Sequence, residues 1–254
     1  MADLPVPFTG AMVRALIEGR KRQTRRTIKR LRGGAAFCRI ADLWPAPAVL
    51  DYRFEDANGV WHDINKDELL DRLPYRVGDR LWVKEKYLPD PPANDPSWDD
   101  HTCTYVEWSG CGSKVSDIPP ALRLPDHVLY ATNPSFFGYQ MRWRPGMHMP
   151  RWASRITLIV TEVRVERLQA IREADAIAEG IEPHKSGWMP YATMFYESDG
   201  VTPANYHVDP RISYMQLWES INGPRSWDEN PMVAVYTFAP PILANIDSLP
   251  GAAP

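Results

Sequence analysis

The chain has 254 residues, 44% of them hydrophobic and 24% charged, with 29 Lys and Arg against 32 Asp and Glu for a formal charge of −3. That length buries a substantial core, as one elaborated domain or two small ones. The slight negative charge excludes a global electrostatic pull toward nucleic acid, and three cysteines are too few for a disulfide scaffold. No apolar run reaches the roughly 20 residues that a membrane-spanning helix needs. The first residues lack the basic start and apolar stretch of a secretory signal, so a cytoplasmic protein without membrane association is expected.

In chain order, Thr9 is a candidate N-cap for a helix whose Met12, Val13, Leu16 and Ile17 recur at helical spacing until Gly19, which can end it in a left-handed conformation. Residues 21–27 then leave the helix end and enter a strand. Residues 33–74 are irregular, apart from Asn58-Gly59, a hairpin signal flanked by residues 51–54 and 60–62. Gly78-Asp79 introduces a strand over 80–87. Residues 89–145 carry short strand candidates at 102–108 and 127–131 between Gly, Pro and Asp clusters.

Residues 156–167 are rich in Ile, Val, Thr and Leu, as a central strand would be. Residues 168–181 switch to helical spacing through Ile171, Ala174, Ala178 and Ile181, with Gly180 weakening the end. A second helix places Tyr214, Leu217, Trp218 and Ile221 on one face before Asn222-Gly223-Pro224. Residues 232–238 form a closing strand. The expected organisation is a single domain over 1–240, with insertions at about 33–74, 89–145 and 182–209, followed by a flexible tail at 241–254.

Charge is unevenly placed. Between Arg14 and Arg32 basic residues crowd the chain and Glu18 is the single acid. A local basic patch on a mildly acidic body suits one nucleotide or a short strand better than a long duplex. The same run equally reads as a solvated helix end, where positive charge is favoured. A second cluster joins Arg142, Trp143, Arg144, His148, Arg151, Trp152 and Arg155. Arginines interleaved with aromatic rings suit base stacking and phosphate contact. They equally suit loop bracing, with His148 structural. His101, Cys103 and Cys111 lack the paired spacing of a zinc site, and no phosphate-cradling or dinucleotide Gly motif is present.

Four segments in order resemble the ASCH superfamily: the helix entering Gly19-Arg20-Lys21-Arg22-Gln23-Thr24, the turn and strand Gly78-Asp79-Arg80-Leu81-Trp82-Val83, the strand and helix over 157–181, and the last strand at 233–238. A larger phage-type subgroup is resembled through residues 143–155. The resemblance covers about half of the chain. It implies an α+β fold: a small mixed PUA-like β-barrel with two or three flanking helices and large loop insertions.

The resemblance further implies an amidohydrolase, independent of metal and cofactor, that removes the acyl group from N4-acylated cytidine or related acylated nucleosides. Lys21 and Thr24 take the places of the family's catalytic Lys and Thr. Glu179 is the candidate for its Glu, with Glu173 and Asp175 on the same helix. Arg20, Arg26, Arg144, His148, Arg151, Trp152 and Arg155 are the candidate substrate-binding residues. The partner would be a nucleoside or nucleotide-like small molecule. The alternative is a non-catalytic RNA or modified-base reader using the same pocket.

Chemically, a threonine hydroxyl needs an adjacent base before it can attack an amide. A lysine can be that base if burial and neighbouring cations depress its pKa from about 10.4. In an extended segment, however, Lys21 and Thr24 alternate onto opposite faces.

Overall fold

A computed structural model describes residues 1–28, 31, 37–42, 52–56, 58–89, 115–118, 120–136, 141, 143–192 and 205–250. The strand expected over 102–108, together with His101, Cys103, Cys111 and Arg142, lies outside these residues. The described chain is mixed α+β, with four α-helices and several sheets. None of the sheets closes on itself among the described residues. No described helix is long and apolar enough to cross a membrane.

By its internal contacts the chain divides into two compact units, one formed by residues 1–17, 79–159 and 240–254, the other by residues 18–78 and 160–239.

In the first unit, strand β1 (Asp3–Pro7) runs parallel to β6 (Arg80–Lys84), and β6 runs antiparallel to residues 157–159. Pro5 and Pro7 carry no amide proton, which suits the outer strand of the ladder and hides β1 from a reading based on β-propensity. Helix α1 (Gly10–Ile17) follows, its first turn closed by the Met12 amide donating to Thr9 Oγ1 at 3.4 Å. The strand expected over 80–87 stops at Lys84, and β7 (Tyr87–Pro89) pairs instead with β8 (Val128–Tyr130).

The core beside β7 and β8 is Tyr87, Val128, Tyr130, Met149 and Ala153, with Trp152 packed against it. Gly146 is fixed by contact: a Cβ there would stand 2.9 Å from the Glu85 carbonyl carbon. Gly146→Ala is therefore expected to cost about 1–3 kcal/mol through forced backbone shift, measured by chemical denaturation.

The expected flexible tail is partly ordered. Thr157 and Ile242 exchange backbone hydrogen bonds at 2.9 Å, Ile246 is buried, and Asn245 Nδ2 donates to the carbonyls of Arg151, Trp152 and Ser154. Each bond turns a backbone acceptor toward a partner in place of water, which holds the segment down.

Asp3 links this unit's termini. Its carboxylate receives a bidentate pair from Arg80 (2.7 Å for each bond) and a third bond from Arg151 at 2.7 Å, while Arg151 Nε donates to Asp247 at 2.7 Å. The Arg80 bonds hold the Asp3 pKa below the usual carboxylate range against the opposing effect of burial. A depressed carboxylate contributes stability that is present above its ordinary pKa and is lost as pH falls through the folded value. Asp3→Asn strands the buried Arg80 guanidinium, so a loss of about 3 kcal/mol and a flatter acid limb are expected in denaturation across pH.

In the second unit, β2 (Gln23–Thr27), β12 (Met232–Phe238) and residues 160–167 of β9 (Thr157–Arg167) form an antiparallel ladder with β12 central. A separate three-stranded sheet joins β3 (Phe37–Asp42), β4 (Tyr52–Asp56) and β5 (Trp61–Ile64) around the expected Asn58-Gly59 turn, with Gly59 at φ +79°.

Helix α2 (Lys66–Arg72) lies within the stretch expected to be irregular. Its N-cap Asn65 accepts from the Glu68 amide. The helix expected over 168–181 is shorter, because a 3-10 turn at Leu168–Ala170 ends in extended Ile171 and only α3 (Glu173–Ala178) is helical. Gly180, at φ +89°, closes it. Helix α4 (Pro210–Asn222) buries Tyr214, Leu217 and Trp218, while Ile221 stays exposed. These residues join Leu168, Ile171, Ala176, Ile181, Val233 and Val235 in one core.

Candidate active site

The approach to β2 is fixed from both sides. Gly19 adopts φ +74°, as expected of a residue that ends a helix. Arg22 donates its amide to the Ala178 carbonyl and accepts from the Phe238 amide, both at 2.8 Å. This pins residues 20–22 between the end of α3 and the end of β12.

Lys21 is completely buried. Its Nζ donates to the Gln23 carbonyl at 2.8 Å, the Glu179 carbonyl at 2.8 Å and Glu179 Oε2 at 3.0 Å. Burial lowers the Lys21 pKa. Glu179 pulls it back up, and the positive charges of Arg26 and Arg25 add to the lowering. The direction is therefore toward a neutral amine, as a general base requires.

Glu179, at the end of α3, is the acid on Lys21. Its other oxygen takes Arg25 Nη1 at 3.1 Å. Arg25 Nη2 reaches Glu166 at 2.6 Å and lies 3.6 Å from Asp175. Asp175 also receives Arg164 at 3.1 Å and Arg172 at 3.0 Å, which hold its pKa low although burial pushes the other way. Tyr214 is buried near the same carboxylates, and desolvation keeps its phenol protonated.

Lys21, Gln23 and Arg25 thus share one face of β2, and this face packs on α3 and α4. Thr24 alternates to the other. Its cross-strand partner is Tyr236, which places the two side chains together on that opposite face. The Thr24 residue is 3% exposed.

The carbonyl that Lys21 holds belongs to the peptide joining Gln23 to Thr24. Ordinary bond lengths then bound the Nζ to Thr24 Oγ separation at about 8 Å, given the 2.8 Å bond to that carbonyl.

The remaining candidates are placed as follows. Arg20 clamps the end of α3, donating to the Gly180 carbonyl at 2.8 Å and the Ile181 carbonyl at 3.2 Å, and also pairs with Glu18. Arg26 is half-buried on the Thr24 face. Arg144, His148, Arg151, Trp152 and Arg155 belong to the first unit. There Arg144 pairs its backbone with Tyr87, and His148 is exposed with its carbonyl taken by the Tyr87 hydroxyl at 2.8 Å. Arg151 bridges Asp3 and Asp247, and Trp152 fills core. Arg155 lies 4.0 Å over the Tyr130 ring and pairs with Glu85 at 3.0 Å and Thr132 at 2.7 Å.

In the sequence Arg25 stands out by its charge alone, Tyr214 as one residue of an apolar helix face, and neither Glu166 nor Glu85 as part of a site. A signal for Glu166 existed: Glu162, Arg164 and Glu166 alternate along β9, marking one charged face in a strand otherwise rich in Ile, Val, Thr and Leu. Among the described residues no group of three His, Cys, Asp or Glu side chains is arranged to hold a metal ion. Comparison with protein-family models, with curated proteins and with solved structures finds no significant match to this chain.

Proposed function

We propose that the second unit is an ASCH-type, PUA-like module that hydrolyses the N4-acyl amide of an acylated cytidine or a related acylated nucleoside. The observation that supports this reading is a buried lysine of lowered pKa whose ammonium is fixed on the carbonyl of the peptide leading into Thr24. Neutral Lys21 takes the proton of Thr24, directly or through one water, as Thr24 Oγ bonds to the acyl carbon. The bond from that carbon to N4 breaks, and the Lys21 ammonium returns the proton to the leaving amine. Water then attacks the Thr24 ester and gives a proton to Lys21, which passes it back to Thr24 as the carboxylic acid departs.

Arg25 makes a neutral Lys21 tolerable. When Nζ gives up its proton, Arg25 still balances the Glu179 carboxylate through Oε1.

The test is release of cytidine from N4-acetylcytidine by the purified chain, with Lys21→Ala and Thr24→Ala alongside. Loss of release in both variants with the fold intact is the expected result, and full activity in either removes its assigned role.

One observation favours a second reading, a non-catalytic RNA or modified-base reader. All three Lys21 ammonium protons already have acceptors, so the resting charged form is satisfied. In that case base or RNA binding persists without hydrolysis and weakens with salt.

A further inference from the structure

Glu179 does not belong to Lys21 alone. Lys21 Nζ takes its Oε2 at 3.0 Å and Arg25 Nη1 takes its Oε1 at 3.1 Å, so two buried cations share one carboxylate. How much of the Glu179 charge is left to Lys21 therefore depends on where the Arg25 guanidinium sits. Arg25 Nε is buried with no hydrogen-bond partner among the described residues, an unfavourable state for a donor. The guanidinium is thus placed through its two terminal nitrogens. Nη1 holds Glu179 and, at 3.0 Å, Gln23 Oε1; Nη2 holds Glu166 Oε1 at 2.6 Å, with Asp175 at 3.6 Å. The bond to Glu166 is the shortest of these.

Glu166 is itself anchored. Its Oε2 takes Arg164 Nε at 3.0 Å, and Arg164 Nη2 goes on to Asp175 at 3.1 Å. The ladder register sets this up: Arg25 on β2 and Arg164 on β9 flank Val235 of β12, and Glu166 lies opposite Val233 on the same face. An apolar middle strand leaves the charges of the two outer strands to meet each other. The groups acting on Lys21 are Glu179 from the end of α3 and Arg25 and Arg26 from β2. Behind Arg25 stand Glu166 and Arg164 of β9, Asp175 of α3 and the buried Tyr214 phenol of α4. Arg172 on Asp175 and Glu162 near Arg164 complete the network on its solvent side.

We propose that Glu166 is a positioning residue for Lys21: by holding Arg25 Nη2 it keeps the guanidinium divided between two carboxylates, and so fixes the share of Glu179 left to the lysine amine. Its catalytic meaning rests on the acyl-nucleoside reading above. Removing the Glu166 charge lets Arg25 turn wholly onto Glu179 and deletes a negative charge from the same buried region. Both effects weaken the hold of Lys21 on its proton. Removing the Arg164 charge acts in the opposite sense, because Glu166 and Asp175 then draw more strongly on Arg25. A network that merely loosened and admitted water would instead move Lys21 toward its ordinary value of about 10.4 in both variants.

The experiment is an NMR titration of carbon-13-labelled lysine side chains in wild type, Glu166→Gln, Glu166→Asp and Arg164→Gln. The Lys21 signal is assigned by its absence from Lys21→Met, and the pH profile of N4-acetylcytidine hydrolysis is measured on the same proteins. The Lys21 midpoint is expected to fall by about one pH unit in Glu166→Gln and to rise by about as much in Arg164→Gln, the scale of one charge acting across a guanidinium in partly buried surroundings. Glu166→Asp, which keeps the charge, stays near wild type, and the rate profiles follow the titrations. A midpoint that stays or rises in Glu166→Gln overturns the positioning role and leaves the hydrolase reading in place. If the wild type releases no cytidine, that reading fails and the titrations still decide: opposite shifts support the role of Glu166, and parallel or absent shifts overturn it. Should Glu166→Gln not fold, a rise in Arg164→Gln with Glu166→Asp at the wild-type midpoint supports the role, and no rise overturns it.

Discussion

At pH below the lowered Lys21 pKa, where the amine is charged, Glu179→Gln is expected to destabilise the protein by about 3–5 kcal/mol, the usual cost of removing one partner from a buried ion pair. The side chains of Lys21 and Arg25 are wholly buried, and that of Glu179 is 2% exposed. Glutamine keeps the shape of the side chain and some of its hydrogen bonding but removes the charge that compensates two cations in low dielectric. Arg25 retains Glu166 and Asp175, so most of the penalty falls on Lys21.

A second substitution isolates that penalty. Lys21→Met in the Glu179→Gln background removes the stranded cation, so the double variant is more stable than the sum of the two single changes predicts. Chemical denaturation of the four proteins measures both effects. A cost below about 1 kcal/mol for Glu179→Gln would mean that the network is far better solvated than its burial indicates.

The second large effect is catalytic. Lys21→Met is expected to lower hydrolysis by about 10²–10⁴-fold, the range supplied by a positioned general base, while leaving Glu179 paired with Arg25. Wild-type activity rises with pH through the lowered Lys21 pKa and then levels, because only the neutral amine accepts the Thr24 proton. The stability sign follows from the same shift. A lysine whose folded pKa lies below its unfolded value binds fewer protons in the folded state, so stability increases as pH climbs from the folded value toward about 10.4. Lys21→Met removes both pH dependences together. Denaturation and rate profiles over one pH series check the pair, and a persisting rate rise in the variant assigns the base elsewhere.

The backbone was most readable where one residue type has a single cheap conformation. Gly19 and the Asn58-Gly59 turn are such places, and the closing strand at Met232–Phe238 was marked by its β-rich composition. Reading failed where tertiary pairing outweighed propensity. Strand β1 forms around two prolines because it lies parallel to β6 at the outside of the ladder, and the helical spacing after Leu168 is interrupted by extended Ile171. Helix α2 carried a capping signal in Asn65 and Glu68 that its short length obscured.

For the site, Lys21 and Glu179, both singled out in the sequence though 158 positions apart, are hydrogen-bonded. Strand alternation warned that Thr24 would turn away, and it does. What no local pattern could show is that the Lys21 amine takes the Gln23 carbonyl. Arg155 with Glu85, and Arg151 with Asp3, were equally hidden. Each is a pairing across a long stretch of sequence that turns an apparent basic patch into internal bracing.

The assignment of Thr24 as nucleophile is tested most directly by acyl transfer to the protein itself. Wild-type chain is quenched in acid during turnover of N4-acetylcytidine and mapped by peptide mass spectrometry. One acetyl group is expected on the peptide that contains Thr24, absent from Thr24→Ala and lost on further incubation of the unquenched enzyme in water. Steady release of cytidine with Thr24 never acylated, or with Thr24→Ala as active as wild type, would contradict it.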